Sequence, residues 1–444
     1  MPNFEHFNPE ELIAYLTTDM IGQTRGRWVS ASLDNKALQK GCGWVPANLA
    51  MTPFDNIALD NPWGSSGDLR LQPDMETRFR VSALPNATAF NGLICDIHDL
   101  QGKAWYGCGR SFLKAAVADF KQETGLTIIS AFEQEFQVKN PDWAHAPAFS
   151  LAALRRSDPF APILMAALRE AKTDPEMVLA EYGEDQFEIV CGPAEAVKAA
   201  DRAVLIREIT REVGRSCGLA VTFTPKLRPD GSGNGLHIHF SFRTEDGTPA
   251  TFDSNRPGRV SEVAGQFVAG ILKHMPALVA LTAPSVVSYQ RLKPHHWSAA
   301  YTAFGALNRE ASLRICPVVE RPDIDTAKAF NIEYRAADNS ASPYWALGVI
   351  VRAGLEGVRQ KLAQPPLVGV DPANLSEAER LNLGLHRLPA SLVDALAALQ
   401  ADQIVRSWFD PELLAGFLAM KRTEIALMAD LSEADICQRY AEVY

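Results

Sequence analysis

Glutamates and histidines recur at two-residue spacing in several short, strand-like stretches of this 444-residue chain. In AFEQEFQV, Glu133 and Glu135 alternate with Phe132, Gln134 and Phe136. In LHIHFSF, His237, His239 and Ser241 alternate with Leu236, Ile238 and Phe240. NIEYR sets Glu333 and Arg335 against Ile332 and Tyr334, and in AEYGEDQFEI Glu181 and Glu188 bracket a turn containing Gly183. Successive side chains point to opposite faces of a strand, so each stretch gathers its polar groups on one face. Any one of them alone reads as a solvated face, and an isolated HxH also occurs in cupin-type metal sites. Brought together, the carboxylates would repel one another unless cations sat among them. Oxygen-rich donors with one nitrogen suit Mg2+ or Mn2+ better than structural zinc.

Arginines supply the complement. Arg309 and Arg314 lie in NREASLRI, with Arg291 upstream and Arg335 downstream. A guanidinium fork binds phosphate or carboxylate bidentately, although each arginine alone reads as a surface ion pair. The glycine-rich GSGNG that precedes the two histidines suggests backbone placed close to a phosphate or substrate. Together, divalent metals, a glycine-rich loop and several arginines point to phosphoryl chemistry, in which positioning and charge neutralisation do most of the catalysis.

These groups need a scaffold. The sequence predicts an opening helix over Pro9–Thr17, capped by Asn8, then short strands and long loops between Gly41 and Pro85. SFLKAAVADFKQETG reads as an amphipathic helix that stops at Gly125. Beyond it, LTIISAFEQEFQV, QFEIV, LAVTFTP, LHIHFSF and NIEYRA alternate with helices such as EAVKAADRAVLIREITREVGRSCG. That order predicts an α+β architecture on a largely antiparallel sheet, with domains at 1–107 and 108–444. Hydrophobic residues at 47% and charged residues at 22% describe a globular protein. A formal charge of −10 argues against a nucleic-acid partner and requires local arginines or metals to hold any anionic substrate. The acidic N-terminus does not read as a secretion signal, and no apolar run approaches the roughly 18 residues of a membrane span. Seven scattered cysteines without a CxxC complete the expectation of a cytoplasmic protein with reduced thiols.

The chain resembles the glutamine synthetase family nearly end to end. SGNGLHIHFS is similar to the family's ATP-binding signature, and the Glu133–Glu135 pair, EYGEDQFE, ALNREASLRI and EYRAADNSASPYWAL match its other blocks in order. The resemblance implies a small N-terminal β-grasp-like domain and a large catalytic domain. It also implies a homo-oligomer, a dodecamer of two hexameric rings with active sites between subunits. Carried over by position, Glu135, Glu181 and Glu188 would hold one Mg2+ or Mn2+, and Glu133, His237 and Glu333 a second. Arg309 and Arg314 would steady the transferring phosphoryl group. His239, Ser241 and Lys328 would contact ATP. Arg291 and Arg335 would clamp the carboxylates of glutamate, with Gly233 near its amino end. ATP would phosphorylate the glutamate side chain, and an amine would attack the acyl phosphate.

Two departures bear on the amine. The family reads Arg-Leu-x-Pro-Gly-x-Glu where this chain reads RLKPHHW, so His295 replaces the glycine and Trp297 the glutamate that deprotonates ammonium. The family's FDGSS aligns with PWGSS, which puts Trp63 where an ammonium-binding aspartate belongs. A small cation needs negative charge, whereas two indoles suit an amine carrying a hydrocarbon group. An alkylamine is neutral in only about one molecule per 10³ at pH 7, so a base is still needed. His295 or His296 is the candidate for that catalytic role. Smaller changes, Leu227 after Lys226 and His386 in the position of a regulatory tyrosine, leave the metal set intact. The expected enzyme is an ATP-dependent carbon–nitrogen ligase joining glutamate to an organic amine. Ordinary glutamine synthesis from ammonia and a non-catalytic binding homologue are the alternatives.

Overall fold

The structure is a computed structural model that describes residues 10–139 and 142–444. Its N-terminal part is a six-stranded sheet in which Leu12–Thr18 lies between Thr24–Ser30 and Phe90–His98. The helix expected over Pro9–Thr17 is therefore not formed from residue 12 onward; its proposed cap Asn8 and first residue Pro9 lie outside the described residues. LIAYLTT is rich in β-branched and aromatic residues, and pairing on both edges buries Ile13, Ala14 and Tyr15. Tertiary burial outweighs a local capping signal.

The larger part is a nine-stranded sheet, antiparallel apart from the pairing of Phe304–Ala306 with Leu313–Ile315. Its path runs through Leu313–Ile315, Ile332–Tyr334, Leu236–Arg243, Thr127–Lys139, Gln186–Cys191 and Pro175–Ala180. The alternation expected of Thr127–Lys139 is observed: Phe132, Gln134 and Phe136 are buried, whereas Glu133 and Glu135 lie on a half-open face. The α+β expectation holds.

Helices cover the apolar face. Gly109–Thr124 ends as expected at Gly125, which is left-handed at φ 71° and donates its N–H to the Lys121 carbonyl at 2.8 Å. Phe120 from this helix, Phe240 and Phe242 from the sheet and Phe267 from Glu262–Thr282 form a cluster with contacting ring centroids 5.0–6.2 Å apart. Glu262–Thr282 corrects one expectation, because by length and composition it is apolar enough to cross a membrane. It serves instead as a core helix, mostly buried against Pro343–Arg359 so closely that a Cβ on Gly270 would meet the Ala353 carbonyl at 2.2 Å.

One buried cation joins the N-terminal sheet to two helices of the larger part. Arg110, 5% exposed, opens the first helix of the larger part. It pairs with Asp74 at 2.9 Å, with Asp96 of the N-terminal sheet at 3.3 Å, and with Asp201 of helix Ala196–Ser216 at 2.8 Å. A guanidinium shared among three carboxylates has its charge and its donors satisfied away from water.

Candidate active site

Strand register builds the site. His237 lies directly opposite Glu133, Glu135 opposite Glu188, and Glu333 opposite both His239 and Arg314. Directly opposed residues on an antiparallel pair share a face, with Cβ atoms roughly 5 Å apart. Five strands thus project their polar residues as rows across one open sheet face. His237 Nδ1 is 3.3 Å from Glu133 Oε2, and His239 Nε2 is 3.2 Å from Glu133 Oε1 and 3.3 Å from Glu333 Oε2. Glu333 Oε1 receives Arg314 at 2.6 Å and Arg335 at 2.7 Å.

The glycine loop closes one end. Gly235 N–H donates to Glu135 Oε2 at 2.7 Å, and Gln186 donates to the Gly233 carbonyl at 2.8 Å. A Cβ on Gly233 would stand 2.7 Å from Arg291 Cγ, and one on Gly235 2.6 Å from Arg291 Nη2. The loop is therefore glycine-rich because the Arg291 side chain lies across it. Arg291 is buried, donating to the Ala337 carbonyl at 3.0 Å and the Arg335 carbonyl at 3.3 Å.

The electrostatics are those of a cation site. Burial, then the charges of Glu133, Glu135 and Glu181, pushes the Glu188 carboxyl well up. Glu181 is raised by burial and by Glu135. Burial also opposes ionisation of Glu133, but His239, followed by the hydrogen bonds of His237 and His239, holds it below the usual range. Glu333 is likewise held down, to about 2, because Arg335 and the two histidines outweigh its burial. Two donor groups have all their ligand atoms within 4.8 Å of one another: Glu133–His237–Glu333 and Glu135–Glu188–His237. Glu333 Oε2 and His239 Nε2 are buried without a hydrogen-bond partner. Carboxylate and imidazole donors with unsatisfied atoms facing each other fit divalent cations.

The sequence-predicted residues divide. Glu133, Glu135, Glu188, His237 and Glu333 fall into the two donor groups, with His237 common to both. Glu181 lies near enough for Glu135 to perturb it, but belongs to neither group. His239 and Ser241 follow His237 on the same face of their strand. Lys328 stands apart, 73% exposed on the short helix Thr326–Ala329 and 3.7 Å from Asp325. Arg309 is exposed, with its guanidinium carbon 5.9 Å from the Trp297 ring centroid.

The amine side takes a different shape from the expected one. Trp297 is 61% exposed on a loop in which His295, Trp297 and Ala299 all have left-handed φ angles of 51–65°. Its N–H donates to Glu310 Oε1 at 2.8 Å, and its carbonyl accepts from Arg335 at 3.1 Å. His295 is 62% exposed, with Nδ1 2.7 Å from Asp371 Oδ2. Burial, followed by the charges of Lys226 and Lys293, lowers His296 and favours its neutral form. Among the described residues no ring contact joins Trp63 to Trp297. Trp63 is 8% exposed, packs on Trp105 and against Gly416, and donates its indole N–H to Tyr106 at 2.9 Å. An indole can satisfy its one donor inside a core.

Several participants were missed. Gln186 is two residues before Glu188 on the same strand, so period-2 alternation carried a signal for it, whereas Glu310 sits in a turn and gave none. Asn331, 2.9 Å from His239 Nδ1, and Cys316, 3.5 Å from the same atom, reach the site only through long-range strand pairing. Cys316, His239 and Glu333 form a third donor group.

Comparison with known proteins gives the family. The family described as "Glutamine synthetase, catalytic domain" matches residues 106–440, and "Glutamine synthetase N-terminal domain" matches residues 3–105. A "Gamma-glutamylpolyamine synthetase GlnA3" from Streptomyces coelicolor is 33% identical over 98% of this chain and 93% of its own. The "Glutamine synthetase" of Pyrococcus furiosus is 38% identical over 89% of this chain and 86% of its own. A crystal structure of a "novel glutamine synthase homolog" is 44% identical, with a TM-score of 0.92 over 99% of this chain and 100% of that one. The structure titled "Apo GmaS without ligand" superposes with a TM-score of 0.80 at 25% identity, over 96% of this chain and 95% of that one. Two family descriptions in tandem thus account for the chain from residue 3 to residue 440, and the protein belongs to the glutamine synthetase family, as an ATP-dependent carbon–nitrogen ligase.

Proposed function

We propose that the enzyme joins the side-chain carboxylate of glutamate to an organic amine, giving a γ-glutamyl amide. The observation that carries the reading is the loop Lys293–Ser298. It presents an exposed indole where the family has a carboxylate, and its backbone is tied to Arg335. An apolar ring at that place favours an amine with a hydrocarbon body over ammonium. Similarity to the gamma-glutamylpolyamine synthetase over nearly the whole chain supports the same class of acceptor.

The roles follow from the geometry. Arg291 and Arg335, both buried, would hold the glutamate carboxylates, with Gly233 and Gly235 keeping Arg291 in place. Mg2+ or Mn2+ would be held by Glu133, His237 and Glu333 and by Glu135 and Glu188, with Glu181 at the edge, and would offset phosphate charge. Arg309 and Arg314 would face the transferring phosphoryl group, with His239, Ser241 and Lys328 on the nucleotide side. The carboxylate is phosphorylated because it is otherwise a poor acyl donor, and a homo-oligomer of stacked rings belongs to the same proposal. ATP turnover with glutamate and a panel of monoamines, diamines, polyamines, amino alcohols and ammonia tests it. An organic amine should give the highest kcat/KM. If ammonia exceeds every organic amine, the enzyme is an ordinary glutamine synthetase.

A further inference from the structure

We infer that Glu310 supplies the carboxylate the amine loop lacks, binding the ammonium form of the incoming amine and taking its proton. The inference rests on the amine-ligase reading and gives that site its missing base.

Glu310 is 8% exposed, in the turn between strands Phe304–Ala306 and Leu313–Ile315. Its backbone is pinned by a hydrogen bond from its N–H to Asn308 Oδ1 at 3.0 Å. Oε1 accepts the Trp297 N–H, while Oε2 has no hydrogen-bond partner among the described residues. Nor does Glu310 make an ion pair among them. Arg335 and His295 act on this carboxyl only at a distance, and its second oxygen is not closed off among the buried unpartnered atoms, so it is open to a cationic ligand. Its place is fixed relative to both substrates' expected positions. Arg335 N–H donates to the Ser312 carbonyl at 2.9 Å, so Glu310 stands two residues beyond the residue bonded to Arg335. Trp297 is held between the two, its N–H on Glu310 and its carbonyl on Arg335. Burial raises the Glu310 carboxyl, helped by the charge of Asp371 and opposed by the Trp297 N–H and then by His295 and Arg335. A raised carboxyl is a better proton acceptor near neutrality.

The step balances. R–NH3+ gives one proton to the Glu310 carboxylate, and the freed lone pair forms the C–N bond at the acyl phosphate carbon. The C–O bond to phosphate breaks, its electron pair leaves on phosphate, and phosphate carries off the second nitrogen proton.

The test compares two nucleophiles. Hydroxylamine is largely neutral at pH 7 and traps the acyl phosphate as the hydroxamate without needing a base. Glu310→Gln keeps an oxygen that can accept the Trp297 N–H but removes the charge. The expected result is a loss of kcat/KM of about 10²-fold or more for the preferred amine, with hydroxamate formation falling only a few-fold. Hydroxamate formation and a melting temperature near that of the wild type report that the variant is folded. An equal fall with both nucleophiles would mean that Glu310 only holds the loop, and no fall with either would mean that it does nothing; each overturns the inference. If the wild type prefers ammonia, the amine-ligase reading fails, and Glu310 is still judged by ammonia against hydroxylamine.

Discussion

Replacing Gly233 with alanine should weaken glutamate binding through Arg291 alone. The added Cβ would lie 2.7 Å from Arg291 Cγ and 3.1 Å from the Pro225 carbonyl. Carbon atoms in favourable contact are about 3.5–4.0 Å apart, so the arginine must move by about 1 Å. It cannot swing freely, because its two terminal nitrogens are bonded to the Ala337 and Arg335 carbonyls. A charge-assisted hydrogen bond to a carboxylate contributes about 1.5–3 kcal/mol, so losing that alignment should raise KM for glutamate by roughly 10- to 150-fold. The KM for ATP should change little, because none of the proposed nucleotide contacts, His239, Ser241 and Lys328, is among the nearest atoms the new Cβ would meet. Initial rates with each substrate varied in turn make the measurement. Gly231→Ala is the control, since its Cβ would meet nothing nearer than 3.5 Å. A glutamate KM within three-fold of the wild type, or an ATP KM that rises in step, would refute the reasoning.

Two further outcomes are expected. Arg110→Met leaves Asp96 and Asp201 without their shared cation and should destabilise the chain by about 3–5 kcal/mol in urea unfolding; adding Asp201→Asn should return part of the loss, and simple additivity would show that the junction is not coupled. Glu188 is raised in the folded chain, so without metal its contribution to stability is complete below the unfolded value of 4.5 and declines as pH rises beyond it. Melting temperatures in EDTA should therefore fall from pH 6 to pH 8 more steeply for the wild type than for Glu188→Gln, and Mg2+, which binds the ionised form, should reduce that fall in the wild type. Parallel curves for the two proteins would contradict the assignment.

The alternation of AFEQEFQV and LHIHFSF was enough to place Glu133, Glu135, His237 and His239 on one face of their strands, because a strand's period is two whatever surrounds it. The helix stop at Gly125 was legible for an equally local reason, the ease with which glycine takes a left-handed conformation. The strand at Leu12–Thr18 was not, because its state depends on pairing with a strand nearly eighty residues away. Nor could the sequence show that His237 serves both donor groups, that Trp63 is packed against Trp105, or that Glu310 lies beneath Trp297. Local periodicity determines which side chains share a face. Which faces meet, and which buried charge is left without a partner, depends on strand register and on contacts between residues far apart in the chain, and only the tertiary structure decides those.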